Sequence, residues 1–367
     1  MWWSLTFGPA VLSMRQTIPS LVAACLLATF VSPAAMAQRN ANADICAATD
    51  ESPVTPEQRI GACNALIKAA KNAPKDLAAA LINRGSAYWT IDQMKRAYVD
   101  FDRAIALDPN NSRAFRERAN AYRSDGKLDR ALADAMEAVQ LDPKDATAYD
   151  VRGNVLNDKG EYDRAIEDYN QALQLDPQFS IALRDRGAAF YFKKDYERAV
   201  KDYDEAIRID PRSSRAYSNR AAAYEKLGKI DEAIADDSEA IKLDSTVPEY
   251  FDNRGLSYAK NGEYDRAIID FTQAIRIAPQ AKFLTNRGNA WQSKGDLDRA
   301  IADYNRAIRI DPTAADAWND RGAAWRGKGD VDRAMADYRE ALRINPKFDT
   351  AAENLEALRL LRTKNAK

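Results

Sequence analysis

Histidine is absent from all 367 residues, which removes the commonest general base and the commonest metal ligand from any chemistry this chain could perform. Net charge is nearly absent as well. Lys and Arg number 54 against 55 Asp and Glu, so a chain that is 30% charged carries a formal charge of only −1. That balance, with an isoelectric point near 5.9, provides no broad field for nucleic acid or an anionic membrane. Also missing are a phosphate-binding glycine loop, a nucleophile-and-histidine set and any metal-ligand spacing. The repeated Asp and Glu recur throughout the chain and read as helix surface, not as catalytic carboxylates. These absences argue against an enzyme, a nucleic-acid binder and a metalloprotein, and no cofactor is expected.

Long apolar runs are scarce, and the one that exists is informative. From Met14 the sequence places Arg15, an apolar stretch from Leu21 to Val31, and Ala35-Met36-Ala37 in order. This is the basic, apolar and small-residue order of a secretory signal peptide, so residues 1–37 are expected to be removed by cleavage after Ala37. The run is too short to span a bilayer as a mature helix. Met14 is the better initiator, because residues 1–13 carry no charge. The rival reading is a lipoprotein signal at Val22-Ala23-Ala24-Cys25, although most of the apolar run follows Cys25 where a lipidated cysteine should follow the run. Either route exports the protein, to the periplasm in the first case and to the outer membrane in the second. Only three cysteines are present. Removal of the signal leaves Cys46 and Cys63, which in an exported protein suggest a disulfide worth about 3 kcal/mol in the chain-entropy model. Two free buried thiols are the alternative.

What the sequence has in abundance is repetition. Pro109, Pro143, Pro177, Pro211, Pro279, Pro312 and Pro346 follow one another at 34 or 33 residues, with Ser245 filling the one empty slot. Twelve residues before each stands an alanine: Ala97, Ala131, Ala165, Ala199, Ala233, Ala267, Ala300 and Ala334. Eight units therefore occupy residues 78–347. In one of them, Tyr149, Gly153 and Leu156 share a helical face, Gly160 breaks the pattern, and Tyr162, Ala165, Tyr169, Ala172 and Leu173 form a second stripe before Asp176-Pro177. Each unit reads as two antiparallel helices whose apolar faces are buried only by stacking on neighbours. Residues 38–77 read as an N-terminal cap or partial repeat, with a helical pair over Ile45–Ala73. Residues 348–367 hold a capping helix and tail, with Ala352, Leu355, Leu358 and Leu361 on one face of Thr350–Arg362.

This order of aromatic, glycine, tyrosine, alanine and proline resembles the tetratricopeptide repeat (TPR). The resemblance implies an all-α, right-handed superhelical solenoid of about eight helix-turn-helix repeats, with an N-terminal half-repeat and a C-terminal capping helix. It also implies a concave face, lined by the first helix of each pair, that binds an extended peptide or a partner's helix. The cysteine-bearing cap resembles exported bacterial members. Two units depart from the pattern, with Ala135 and Asp237 in the aromatic slot of the second helix, and with Ser245 nearby the unit around Asp237 is expected to be the least well packed.

Two charged columns are complete. Arg84, Arg118, Arg152, Arg186, Arg220, Arg254, Arg287 and Arg321 are each followed sixteen residues later by Asp100, Asp134, Asp168, Asp202, Asp236, Asp270, Asp303 and Asp337. A slot shared by every copy serves the fold, so these are expected to pair between helices or between units. Glycine or alanine follows each arginine, which calls for small size at a close approach and not for a phosphate loop. Asparagine precedes the arginine only at Asn83, Asn219, Asn253 and Asn286. The last three fall in consecutive units and resemble the asparagine ladder of the TPR superhelix of O-GlcNAc transferase, which holds peptide backbone through side-chain amides. Ordinary solvated asparagines are the alternative. Arg116, Asn120, Arg123, Asn154, Asn157, Trp89, Tyr191 and Phe192 are expected on the same concave face, with Tyr191 and Phe192 as partner anchors or as a thicker core.

The reading that results is a non-catalytic exported scaffold for a protein or peptide ligand. The alternative is a self-assembling or outer-membrane lipoprotein subunit of an envelope complex, its oligomeric state left open. Mass spectrometry of the mature protein should find Gln38 at the N-terminus; a lipidated Cys25 would contradict cleavage after Ala37.

Overall fold

The computed structural model describes residues 33–49, 52–70 and 73–365. Most of the expected signal segment, with Met14 and Cys25, lies outside them. The described residues form nineteen helices and no strand. A first pair, α1 (Pro33–Ala47) and α2 (Pro56–Ala69), precedes eight further pairs. These are α3 (Pro74–Thr90) with α4 (Met94–Leu107), α5 (Ser112–Ser124) with α6 (Leu128–Leu141), α7 (Ala146–Asp158) with α8 (Tyr162–Leu175), and α9 (Ser180–Phe192) with α10 (Tyr196–Ile209). Then follow α11 (Ser214–Lys226) with α12 (Ile230–Leu243), α13 (Pro248–Lys260) with α14 (Tyr264–Ile277), α15 (Ala281–Ser293) with α16 (Leu297–Ile310), and α17 (Ala315–Gly327) with α18 (Val331–Ile344). A single helix, α19 (Asp349–Asn365), closes the array. The cap's first helix thus begins at Pro33 and runs across the Ala37–Gln38 bond, well before the Ile45 start expected from the pattern.

The third unit shows how local chemistry sets the helix ends. Asp145 caps α7, its carboxylate accepting from the Thr147 amide at 2.9 Å. At the other end Gly160 adopts φ 78°. The Glu161 amide donates to the Leu156 carbonyl at 2.9 Å and the Gly160 amide to Asn157 at 2.9 Å. That left-handed turn satisfies carbonyls the helix leaves open and reverses the chain into α8. The fourth unit makes the same turn with Lys194 at φ 63°, a conformation that costs a non-glycine residue roughly 1–2 kcal/mol.

Within a unit the helices meet through a ring laid on a glycine. A Cβ on Gly85, Gly153, Gly187, Gly255, Gly288 or Gly322 would stand 2.5–2.8 Å from the ring of Phe101, Tyr169, Tyr203, Phe271, Tyr304 or Tyr338 respectively. Every one of those rings is fully buried, and burial of each contributes about 1.5–3 kcal/mol. The two units without a ring are the two without the glycine: Ala119 belongs with Ala135, and Ala221 with Asp237. A methyl is tolerated only where the ring is gone. In the second unit Val151 from the following helix contacts Ala119 and Ala135; in the fifth, the buried Asp237 occupies the slot.

Between units the arginine column forms a three-way clamp. Nε and Nη2 of each arginine donate to both carboxylate oxygens of the aspartate sixteen residues on, at 2.6–2.8 Å in all eight units. In seven of the eight, Nη1 reaches back to the preceding pair: to Asn64, Asp102, Asn170, Asp204, Ser238, Thr272 or Asn305, at 2.6–3.1 Å. Arg152 is the exception, and the residue at the corresponding position is Met136, 52% exposed. One guanidinium therefore ties together both helices of its unit and the helix before them.

At the N-terminal end the sulfurs of Cys46 and Cys63 lie 2.09 Å apart in a buried cluster with Ala62 and Ala80. At the C-terminal end Leu355 and Leu358 of α19 cover Met335 and Tyr338 of α18.

The clamp yields a signed prediction. Asp202 is 7% exposed, so Arg186→Ala strands a buried carboxylate and should cost about 3–5 kcal/mol, whereas Arg186→Met with Asp202→Leu should cost far less. Thermal and urea melts of the two variants check this; a wild-type melting temperature for Arg186→Ala would contradict it.

Candidate peptide-binding groove

Successive odd-numbered helices touch one another, from α1·α3 and α3·α5 through to α15·α17, while the even-numbered helices make no comparable contact with each other. The first helices of the pairs therefore form one continuous inner wall and the second helices splay outside it. Every residue expected on the concave face belongs to an inner-wall helix: Asn83 and Trp89 to α3, Arg116, Asn120 and Arg123 to α5, Asn154 and Asn157 to α7, Tyr191 and Phe192 to α9, Asn219 to α11, Asn253 to α13, and Asn286 to α15.

The asparagines are not equivalent. Asn253 Nδ2 donates to Ser218 Oγ on α11 at 3.3 Å, and Asn286 Nδ2 donates to Asp252 Oδ1 on α13 at 2.8 Å. Asp252 is a carboxylate and can only accept, which fixes the Asn286 amide with its oxygen free. Each of these two reaches back to the residue that precedes the asparagine of the previous unit. Asn219 makes no side-chain hydrogen bond within the described residues. Asn83 is buried, and its oxygen accepts from Arg113 Nη2 at 2.5 Å. The ladder thus presents oxygens at Asn253 and Asn286, a whole amide at Asn219, and only an amide nitrogen at Asn83. Asn286 lines a recess of about 440 Å³ with Lys282, Thr285, Asn289, Asp316 and Asp320.

The first half of the wall is cross-linked by charge. Arg116 is held by Asp145 and lies 3.7 Å from Glu117, and Arg184 donates from Nε to Asp185 at 2.8 Å. Arg123 lies 3.7 Å from Asp158. Asn154 Nδ2 bridges Asp150 and Asp185 at 3.1 Å each, and its oxygen accepts from the Tyr169 hydroxyl at 2.9 Å. Burial, then the charge of Asp185, pushes the Asp150 carboxyl well above the usual carboxylate range. Among the described residues Asn157 Oδ1 is buried without a hydrogen-bond partner, and Asn120 makes no side-chain hydrogen bond. So Arg116, Arg123 and Asn154 serve the wall itself, and each is met by acidic neighbours in place.

The aromatic residues divide in the same way. Trp89 donates from Nε1 to Ser124 Oγ at 2.8 Å and packs on the buried cluster around Leu81 and Phe101. Tyr191 packs against Phe190 and Tyr203 and meets Tyr196 edge-on. Phe192, by contrast, is 53% exposed and stacks on Tyr162 with ring centroids 5.7 Å apart. Of the two residues read as anchors, Phe192 is the one whose face remains open.

Two features were missed from sequence. The partners Ser218 and Asp252 stand immediately before Asn219 and Asn253, a polar pair whose meaning depends on the neighbouring helix. A row of inter-unit ion pairs, Lys159–Asp129, Lys193–Asp163, Lys294–Asp265 and Lys328–Asp298, lies in columns interrupted at Leu227 and Asn261. Its aspartates are 80% or more exposed, so the row adds little stability.

Family models described as "TPR repeat" match residues 153–194, 187–228 and 288–325. Others described as "Tetratricopeptide repeat" match 78–111, 101–133, 214–246, 248–281 and 315–348. Together they cover more than half of the chain. No curated protein matches it. Among solved structures it is similar to the APC/C hetero-tetramer Cut9–Hcn1, at 17% identity over 88% of this chain and 62% of that one, with a TM-score of 0.62. This chain therefore spans less than two thirds of that protein's length. It is also similar to PilF of Pseudomonas aeruginosa, at 22% identity over 56% of this chain and 94% of that one, with a TM-score of 0.50. At these identities the likeness concerns the fold.

Proposed function

The chain belongs to the tetratricopeptide repeat family, and from that premise we propose that it is a non-catalytic exported scaffold whose inner wall holds an extended segment of a partner protein. The observation that carries this is the wall itself: consecutive inner helices α11, α13 and α15 bring Asn219, Asn253 and Asn286 into one row. One amide in that row, that of Asn286, is oriented from behind by the Asp252 carboxylate, so its oxygen is set before a ligand arrives, and Asn253 rests on Ser218. Preorganised acceptors of this kind receive backbone N–H groups whatever the ligand's sequence. Phe192, exposed at the end of α9, supplies an apolar face for one side chain.

Export is supported by the order of residues 14–37 and by Cys46 and Cys63, whose sulfurs stand at bonding distance; a disulfide there would tie α1 to α2. No helix among the described residues is long and apolar enough to cross a membrane. Members of this family are typically non-catalytic, and every charged column here is spent on the array. A self-assembling or lipid-anchored envelope subunit is the second reading, supported by the sequence at Cys25 alone.

Replacing Asn219, Asn253 and Asn286 together by Ala should weaken binding of a partner recovered from the periplasm at least tenfold in calorimetry, with the melting temperature within a few degrees of wild type. Unchanged affinity would remove the ladder from the site.

A further inference from the structure

The fifth unit, α11 and α12, is built differently from its neighbours. Every other second helix, from α4 to α18, contributes to a cluster of contacting buried apolar side chains; among the described residues α12 contributes to none. Its ring slot holds Asp237, 1% exposed, with Oδ1 lacking any hydrogen-bond partner. Ser218, itself buried, lies beside the Asp237 carboxyl and works against its raised pKa, and it accepts from Asn253 Nδ2 at 3.3 Å. A line of neighbouring polar side chains thus runs from the core to the groove row.

An ionised carboxylate in that slot has little to compensate it. From α12 itself the adjacent Asp236 repels it, and from α11 so does Glu225. From α13 Arg254 attracts it, but that guanidinium is already committed to Asp270 and Ser238. We propose that the fifth unit is a joint whose closure depends on Asp237 being protonated, and that through Ser218 and Asn253 it regulates the middle of the groove. The consequence for ligand binding rests on the groove reading above; the joint itself does not.

The sign follows from linkage. Burial, ahead of the neighbouring charges, raises the carboxyl of Asp237 well above the usual range in the closed unit. The closed state therefore holds a proton that the open state releases. Its contribution to stability is complete below the ordinary carboxylate pKa and is lost as pH rises toward the raised value, by up to about tenfold in the opening equilibrium per pH unit. Above the raised value the dependence ends.

Hydrogen exchange of the full chain between pH 5 and pH 7, corrected for intrinsic rates, tests this without any ligand. Protection of α11 and α12 should fall by about tenfold or more relative to α5 and α6, and Asp237→Asn should abolish that relative change. A second variant, Ala221→Gly with Asp237→Tyr, restores the ring and glycine of the other units; it should be independent of pH and more protected. An equal pH response in wild type and Asp237→Asn, or none in wild type, would overturn the joint. An intact joint together with ligand-free grooves would leave the joint standing and refute only the groove.

Discussion

The contact on which most of the array depends is the ring laid on a glycine inside six of its eight repeat units. There it limits how closely the two helices approach, because a methyl in place of the glycine hydrogen would meet the ring. With Tyr203 resting on Gly187, Arg186, one residue earlier, is aimed at Asp202, one residue before the ring. The clamp accompanies the lock in six units and keeps the same geometry, at Arg118–Asp134 and Arg220–Asp236, in the two units where small or polar residues replace the ring. Where the ring is absent the chain compensates locally, with Ala119 and Val151 in one unit and with a buried acid in another.

The groove follows from the same constraint. Because the first helices pack against one another and the second helices do not, polar residues on the first helices face a shared wall. Many of them are consumed in building it. Asp150, Asn154, Asp185 and Arg184 hold α7 to α9, and Ser218 and Asp252 hold the asparagines that follow. The wall is therefore a surface whose donors are mostly taken and whose acceptors, at Asn253 and Asn286, are open.

Much of the fold was legible because its determinants are periodic and local. The prolines, the αL turns and the small-residue columns each report on one unit, and eight copies average out the exceptions. The Arg–Asp spacing of sixteen was readable for the same reason. The third arm of the clamp was hidden, since its acceptors vary among Asn, Asp, Ser and Thr and lie on the preceding pair. The link between glycine and ring was half visible: the slot asked for small size, but the reason alanine enters twice appears only when each pair is set beside its partner helix. The groove was least legible. That all twelve candidate residues lie on first helices could be inferred, but what each side chain faces depends on contacts across units, as Asn83 and Asn219 show at equivalent positions.

A double-mutant cycle at Gly187 and Tyr203 tests the lock most directly. With Tyr203 present, Gly187→Ala should destabilise by about 1–3 kcal/mol, because the added methyl meets the ring in a close-packed core. In a Tyr203→Ala background the same change should be neutral or stabilising by up to about 1 kcal/mol, because alanine is the better helix former. Equal cost in both backgrounds would show that the ring does not set the helix separation, and the account would fail with it.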